Sequence, residues 1–190
     1  MKYCITAFLL VLLLAGCKKD AAMQATAIPK DTIAVVMGKP IKKMDEIFPF
    51  SKSEKIEVIS YEMRHYWDTI VKPGGRQAIR PLVKNGTLLM PVSRITERKE
   101  LDSKLKNRLF DLLYNKDDNG TGADCFNPRH SILFYDKTDK VIAYTEVCLA
   151  CGTSGQSEGF TYNLLSQQRM RLLGEIFKDA GLNITEDSFY

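Results

Sequence analysis

Apolar and polar positions are most sharply patterned in residues 125 to 151, CFNPRHSILFYDKTDKVIAYTEVCLAC. Ile132 and Phe134 fall on one face of an extended segment and Leu133 and Tyr135 on the other. Apolar groups on both faces predict a strand covered from both sides, central in its sheet. The next run, residues 141 to 148, sets Val141, Ala143, Thr145 and Val147 against Ile142, Tyr144, Glu146 and Cys148. The polar residues 136 to 140 between them suit a hairpin loop. If Tyr135 faces Val141, the count pairs Leu133 with Ala143 and His130 with Glu146, and it carries Cys125 to Cys151. Pro128 lacks an amide donor and is where such a ladder would be interrupted. The hairpin is therefore expected to bring Cys125 close to Cys148 and Cys151.

The remaining pattern supplies the elements around this hairpin. IEVISYEM, residues 56 to 63, alternates as a strand. Asn85 and Gly86 mark a second hairpin, because both central residues of a type I′ turn need positive φ. Its strands are expected near residues 77 to 83 and 87 to 92, with Pro81 and Pro91 confining them to edges or bulges. Thr96 reads as the N-cap of a helix running to about Tyr114, in which Leu101, Leu105, Leu109 and Leu112 form one apolar stripe. A closing helix from Leu165 or Ser166 to Ala180 turns Met170, Leu173, Ile176 and Phe177 inward, and Gly181 ends it. The segment CGTSGQSEG after Cys148 reads as a flexible loop. Strands and helices in this order predict a single small α+β domain, with a mainly antiparallel sheet of about five strands and two covering helices.

The first residues follow a different pattern. Lys2, an apolar run from Ile5 to Leu14 and the small residues before Cys17 have the parts of a secretory signal, and the run is short for a transmembrane helix. Residues 1 to 16 are thus expected to be a signal peptide, 17 to 55 a stretch that opens on Cys17 and serves as a tether, and 56 to 190 the folded domain. Within the tether, IAVVM at 33 to 37 could dock on the domain.

The four residues LAGC at 14 to 17 resemble the lipobox of bacterial lipoproteins. That resemblance implies that Cys17 becomes the acylated amino terminus, which holds the protein on a membrane without a spanning helix. Lys18, and not aspartate, directly follows Cys17, which resembles lipoproteins sent on to an outer membrane, and the basic-then-acidic order of Lys18, Lys19 and Asp20 resembles the surface-export signals of Bacteroidota lipoproteins. The expected address is the bacterial cell envelope, and the membrane is the expected partner.

Charge changes little. The chain carries 27 basic and 23 acidic side chains, and loss of Lys2 with the leader leaves a net of +3. No concentrated basic run points to nucleic acid.

Candidate chemistry gathers at the cysteine end of the hairpin. Cys125, Cys148 and Cys151 with His130 could supply three sulfur ligands and one nitrogen to zinc. In an exported protein, a structural disulfide among nearby cysteines is the more ordinary outcome, and no cofactor is expected. Cys148 and Cys151 could also act as a redox dithiol, although the CxxC follows a strand, whereas thioredoxin-like motifs open a helix. Arg129, His130 and Glu146, with Asp124, form a second polar group that could orient an imidazole or simply pair charges across the sheet. Asn115, Asp117, Asn119 and Gly120 resemble half of a calcium loop, but Phe126 stands where a bidentate glutamate belongs. His65, Tyr66 and Trp67 read as a packed aromatic cluster.

The order CFxPRH, an FYD strand and then CxxC is similar to that of a small group of uncharacterised bacterial envelope proteins, over about residues 96 to 181. The resemblance implies a recurring module and transfers no catalytic role. Together these readings predict a lipid-anchored envelope lipoprotein with a non-enzymatic binding or structural role. The alternative is a zinc or thiol-redox site built from Cys125, His130, Cys148 and Cys151.

Overall fold

The computed structural model describes residues 42–116, 125–162 and 166–189. In chain order these form β1 (Lys55–Tyr61), β2 (Thr69–Val71), β3 (Gln77–Ile79), β4 (Val83–Lys84), β5 (Thr87–Leu88), β6 (Ile95–Glu100), α1 (Ser103–Phe110), β7 (His130–Tyr135), β8 (Val141–Cys148), β9 (Thr153–Gln156) and α2 (Gln167–Asp179). Five strands lie side by side in the order β6, β1, β7, β8, β9, with every neighbouring pair antiparallel. The domain is α+β, as the pattern predicts, and β7 is the central strand.

The two-sided apolar pattern of β7 has a direct cause. On one face, Val58, Ile132, Phe134 and Val147 belong to a core shared with Leu105, Leu109 and Leu113 and with Met170, Leu173 and Phe177 of α2. On the other face, Ile59, Leu133, Tyr135 and Val141 pack with Leu82 and Met90. Those two residues come from the excursion between β1 and β6, which crosses the sheet and carries the two small ribbons β2–β3 and β4–β5. Helices thus cover one face and an irregular flap covers the other.

Several boundaries differ from the expected ones. Residues 95 to 100 form an edge strand against β1, not the first turns of a helix. ITERKE pairs Arg98 with Ile59 and Lys99 with Val58, and its charges suit an outer strand that must not recruit another chain. The helix starts later, where the Asp102 carboxylate accepts a hydrogen bond from the Leu105 amide at 2.8 Å. Asp102→Ala should lower stability by about 1 kcal/mol, a melting shift of roughly 2–4 °C in thermal unfolding followed by circular dichroism. Leu105, Leu109 and Leu112 of the expected stripe are buried together, Leu101 joins the same core from just before the helix, and a π-type turn (Asp111–Asn115) carries the element on past α1.

Asn85 and Gly86 do make a tight turn, with φ of 53° and 77°. Its strands are two residues each, and Gln77–Ile79 pairs with Thr69–Val71 instead. Pro81 and Pro91 flank the ribbon and deny it further ladder bonds. The expected flexible loop after Cys148 contains the edge strand β9. There Gly155 leaves room for the Phe126 ring, whose Cζ lies 3.0 Å from where a Cβ would stand.

The folded domain also begins before residue 56. Phe50, expected in the tether, is buried and packs edge-on against Phe110 and Phe134, each at 5.1 Å between centroids. Residues 44–46 and 50–52 form single 3₁₀ turns, too short to leave a periodic signal. At the C-terminal end, α2 starts one residue after Ser166, whose side chain caps it, and Gly181 adopts a φ of 95°, as expected of the residue that ends the helix. The IAVVM run lies outside the described residues.

Candidate functional site

The hairpin register decides which polar groups meet. Tyr135 faces Val141 as expected, but a bulge follows, so that Phe134 and not Leu133 faces Ala143. Ile142 is the extra residue. From there every pair is displaced by one position: Ser131 faces Glu146, and His130 faces Val147. Because directly paired residues share a face, His130 turns to the helices and Glu146 to the flap. The expected His130–Glu146 pair does not form.

Cys125 still reaches Cys151, by another route. Ladder-like backbone bonds continue as far as Arg129, whose amide donates to the Val147 carbonyl at 3.3 Å. Pro128 stops them, and the chain then crosses towards β9, where Thr153 Oγ1 donates to the Cys125 carbonyl at 2.8 Å. The sulfurs of Cys125 and Cys151 are bonded, with Cα atoms 5.8 Å apart, within the ordinary range for a disulfide. Cys148 is a buried free thiol, and its sulfur accepts a hydrogen bond from the Cys151 amide at 3.2 Å. All three cysteines border a cavity of about 290 Å³ at the end of the sheet, together with Met63, Arg129 and His130.

His130 is 6% exposed, its ring stands 5.6 Å from that of Phe177, and its Nδ1 has no hydrogen-bond partner. Burial, reinforced by the Arg129 charge and opposed by Glu97, lowers its pKa to about 4. The folded state therefore holds a neutral imidazole where the unfolded chain, with a pKa near 6.5, binds a proton. The stability this contributes is complete above pH 6.5 and is lost as pH falls towards 4, on the order of 3 kcal/mol in all. Urea unfolding of the wild type and His130→Leu between pH 7 and pH 4 checks this, since the variant should lack that part of the decline.

Glu146 finds a different partner. Arg64, 1% exposed, sends Nη1 to Glu146 Oε1 at 2.6 Å and Nη2 to Asp68 Oδ2 at 2.5 Å and to the Arg80 carbonyl at 2.6 Å. The Tyr61 hydroxyl donates to Glu146 Oε1 at 3.1 Å and stands 2.7 Å from Ser131 Oγ. Burial, then the Glu146 charge, push the Tyr61 hydroxyl well above its ordinary pKa, so it remains a donor. Burial alone would lower the Arg64 pKa, but Glu146 and Asp68 outweigh it and raise the value. This network ties the flap to the middle of the sheet. Of its members only Glu146 stood out in the sequence. The spacing of Arg64 and Asp68, four residues apart just after a strand, was the available signal for the rest.

The other predicted residues scatter. Arg129 is exposed and borders the cavity. Asp124 and Cys17, and most of the calcium-like loop, lie outside the described residues; Asn115, at that loop's start, accepts from the Lys42 amide at 3.0 Å. His65 is exposed and Tyr66 is 82% exposed, so the expected aromatic cluster is absent. Trp67 instead lies under the Arg94 guanidinium, 5.3 Å from its ring centre. The proposed zinc set loses two of its four donors to the disulfide. Among the described residues, no group of three or more His, Cys, Asp or Glu side chains is arranged to hold a metal. Compared with known proteins, the chain matches no family model, no curated protein and no solved structure.

Proposed function

We propose that this chain is a bacterial envelope lipoprotein, anchored through acyl groups on Cys17, whose α+β domain is a non-enzymatic binding or structural module. The observation that carries this reading is the Cys125–Cys151 disulfide. Such bridges persist in oxidising, exported compartments and are rare in the cytosol. A leader ending in LAGC agrees with that address, and the absence of aspartate directly after Cys17 favours an outer membrane.

The polar groups at the cysteine end support a scaffold more than a catalyst. Arg64 and Glu146 are engaged with each other, and His130 is buried on the opposite face of the sheet. The cavity beside the disulfide is the concave surface on which a small ligand or a partner's side chain would sit. A zinc centre is disfavoured because Cys125 and Cys151 bind each other.

The anchor is tested by expressing the full chain, leader included, in a bacterium and partitioning the cell lysate between detergent and water. The wild type should follow the detergent and the membrane fraction, and Cys17→Ala should move to the aqueous phase. Equal partitioning of the two would remove the anchor. Several acyl chains, each burying many methylenes at about 0.8 kcal/mol apiece, predict a near-complete shift.

A further inference from the structure

Cysteine chemistry at the end of the sheet is not exhausted by the bridge. We propose that the Cys125–Cys151 disulfide exchanges internally with Cys148, so that the domain moves between a long staple, Cys125–Cys151, and a short one, Cys148–Cys151, that frees Cys125. The inference is independent of the lipid anchor and extends the account of the domain itself.

Three observations place the reacting atoms together. Cys148 pairs with Thr153 across β8 and β9, so Cys148 and Cys151 belong to one tight turn. Within that turn the Cys151 amide donates to Cys148 Sγ at 3.2 Å, which holds the free sulfur against the residue it would attack. All three cysteines border the same cavity, so the exchange needs no new path through the core. His130 lines the same cavity, and its buried Nδ1 has no hydrogen-bond partner.

The chemistry balances within the chain. Cys148 loses its proton to solvent in the cavity, and the thiolate attacks Cys151 Sγ. The Cys148–Cys151 bond forms as the Cys125–Cys151 bond breaks. The electron pair of the broken bond leaves on Cys125 Sγ, which takes a proton from solvent. One disulfide and one thiol stand on each side, so no oxidant or reductant is consumed. Cys148 and Cys151 are buried whereas Cys125 is exposed, and the exchange therefore converts a buried thiol into an accessible one. It also releases the Cys125 sulfur from the turn beside β9, where a partner's thiol or disulfide could then reach it.

Alkylation trapping tests this on the full chain in detergent micelles. The folded protein is held with iodoacetamide at mildly alkaline pH, quenched in acid and mapped without reduction. Label should accumulate on Cys125 as a Cys148–Cys151 linked peptide appears, and both should be lost in Cys148→Ser. Label confined to Cys148, or no label with the original bridge intact, overturns the proposal. A second variant covers the case in which Cys148→Ser does not fold. Cys125→Ser should form the Cys148–Cys151 bridge in a glutathione redox buffer, and two persistent free thiols there would equally overturn it.

Discussion

Replacing Arg64 with methionine is expected to lower stability by about 3–5 kcal/mol, a melting shift of roughly 6–20 °C, the largest loss from any single exchange considered. The guanidinium is 1% exposed and serves Glu146, Asp68 and the Arg80 carbonyl at once. Methionine fills much of the volume but leaves the Glu146 carboxylate buried without its cation. That orphaned charge, more than the lost attraction, sets the size of the effect. Arg64→Lys should also be costly, because an ammonium cannot reach three acceptors in the directions that the planar fork does. Removing both charges, as in Arg64→Met with Glu146→Leu, should recover part of the loss. A double-mutant cycle by urea unfolding measures the coupling, and simple additivity would contradict the network.

The second large effect belongs to the staple. The Cys125–Cys151 bridge closes a loop spanning 26 positions, and the chain-entropy estimate for such a loop is about 3.5 kcal/mol. Cys125→Ser should therefore melt roughly 7–14 °C below the wild type. A reductant should impose a similar loss on the wild type and little further loss on the variant. The short Cys148–Cys151 bridge does not compensate, because it closes only the turn between β8 and β9. Equal melting of variant and wild type would mean that the corner is held without the bond.

How much of this was legible in the chain depended on which interactions carry a local signature. Two-sided apolar alternation placed β7 at the centre, and the leucine stripe and the inward face of α2 marked the helical layer, because these patterns follow directly from burial, while Gly181 marked where α2 ends. The edge strands were hidden. ITERKE in β6 has a threonine followed by glutamate, which imitates a helix start, and only its pairing with β1 makes it extended. The strand Thr153–Gln156 is built of small polar residues whose extended form comes from β8 and from the Phe126 ring. The bulge at Ile142 left no trace in composition, yet it moved Glu146 from His130 to Ser131 and thereby to Arg64. Proximity of Cys125 to Cys151 survived that shift, because the chain beyond Pro128 no longer depends on the ladder. Asn85–Gly86 encodes a turn and says nothing about where that turn docks, so the flap between β1 and β6 has the local signature of a sheet hairpin.

Disulfide mapping of the full chain, digested at acidic pH without reduction, addresses the sulfur corner most directly. The expected result is a linked peptide joining Cys125 to Cys151 as the major species, with Cys148 recovered as a thiol. Three unlinked thiols, or Cys125 joined to another chain, would contradict it.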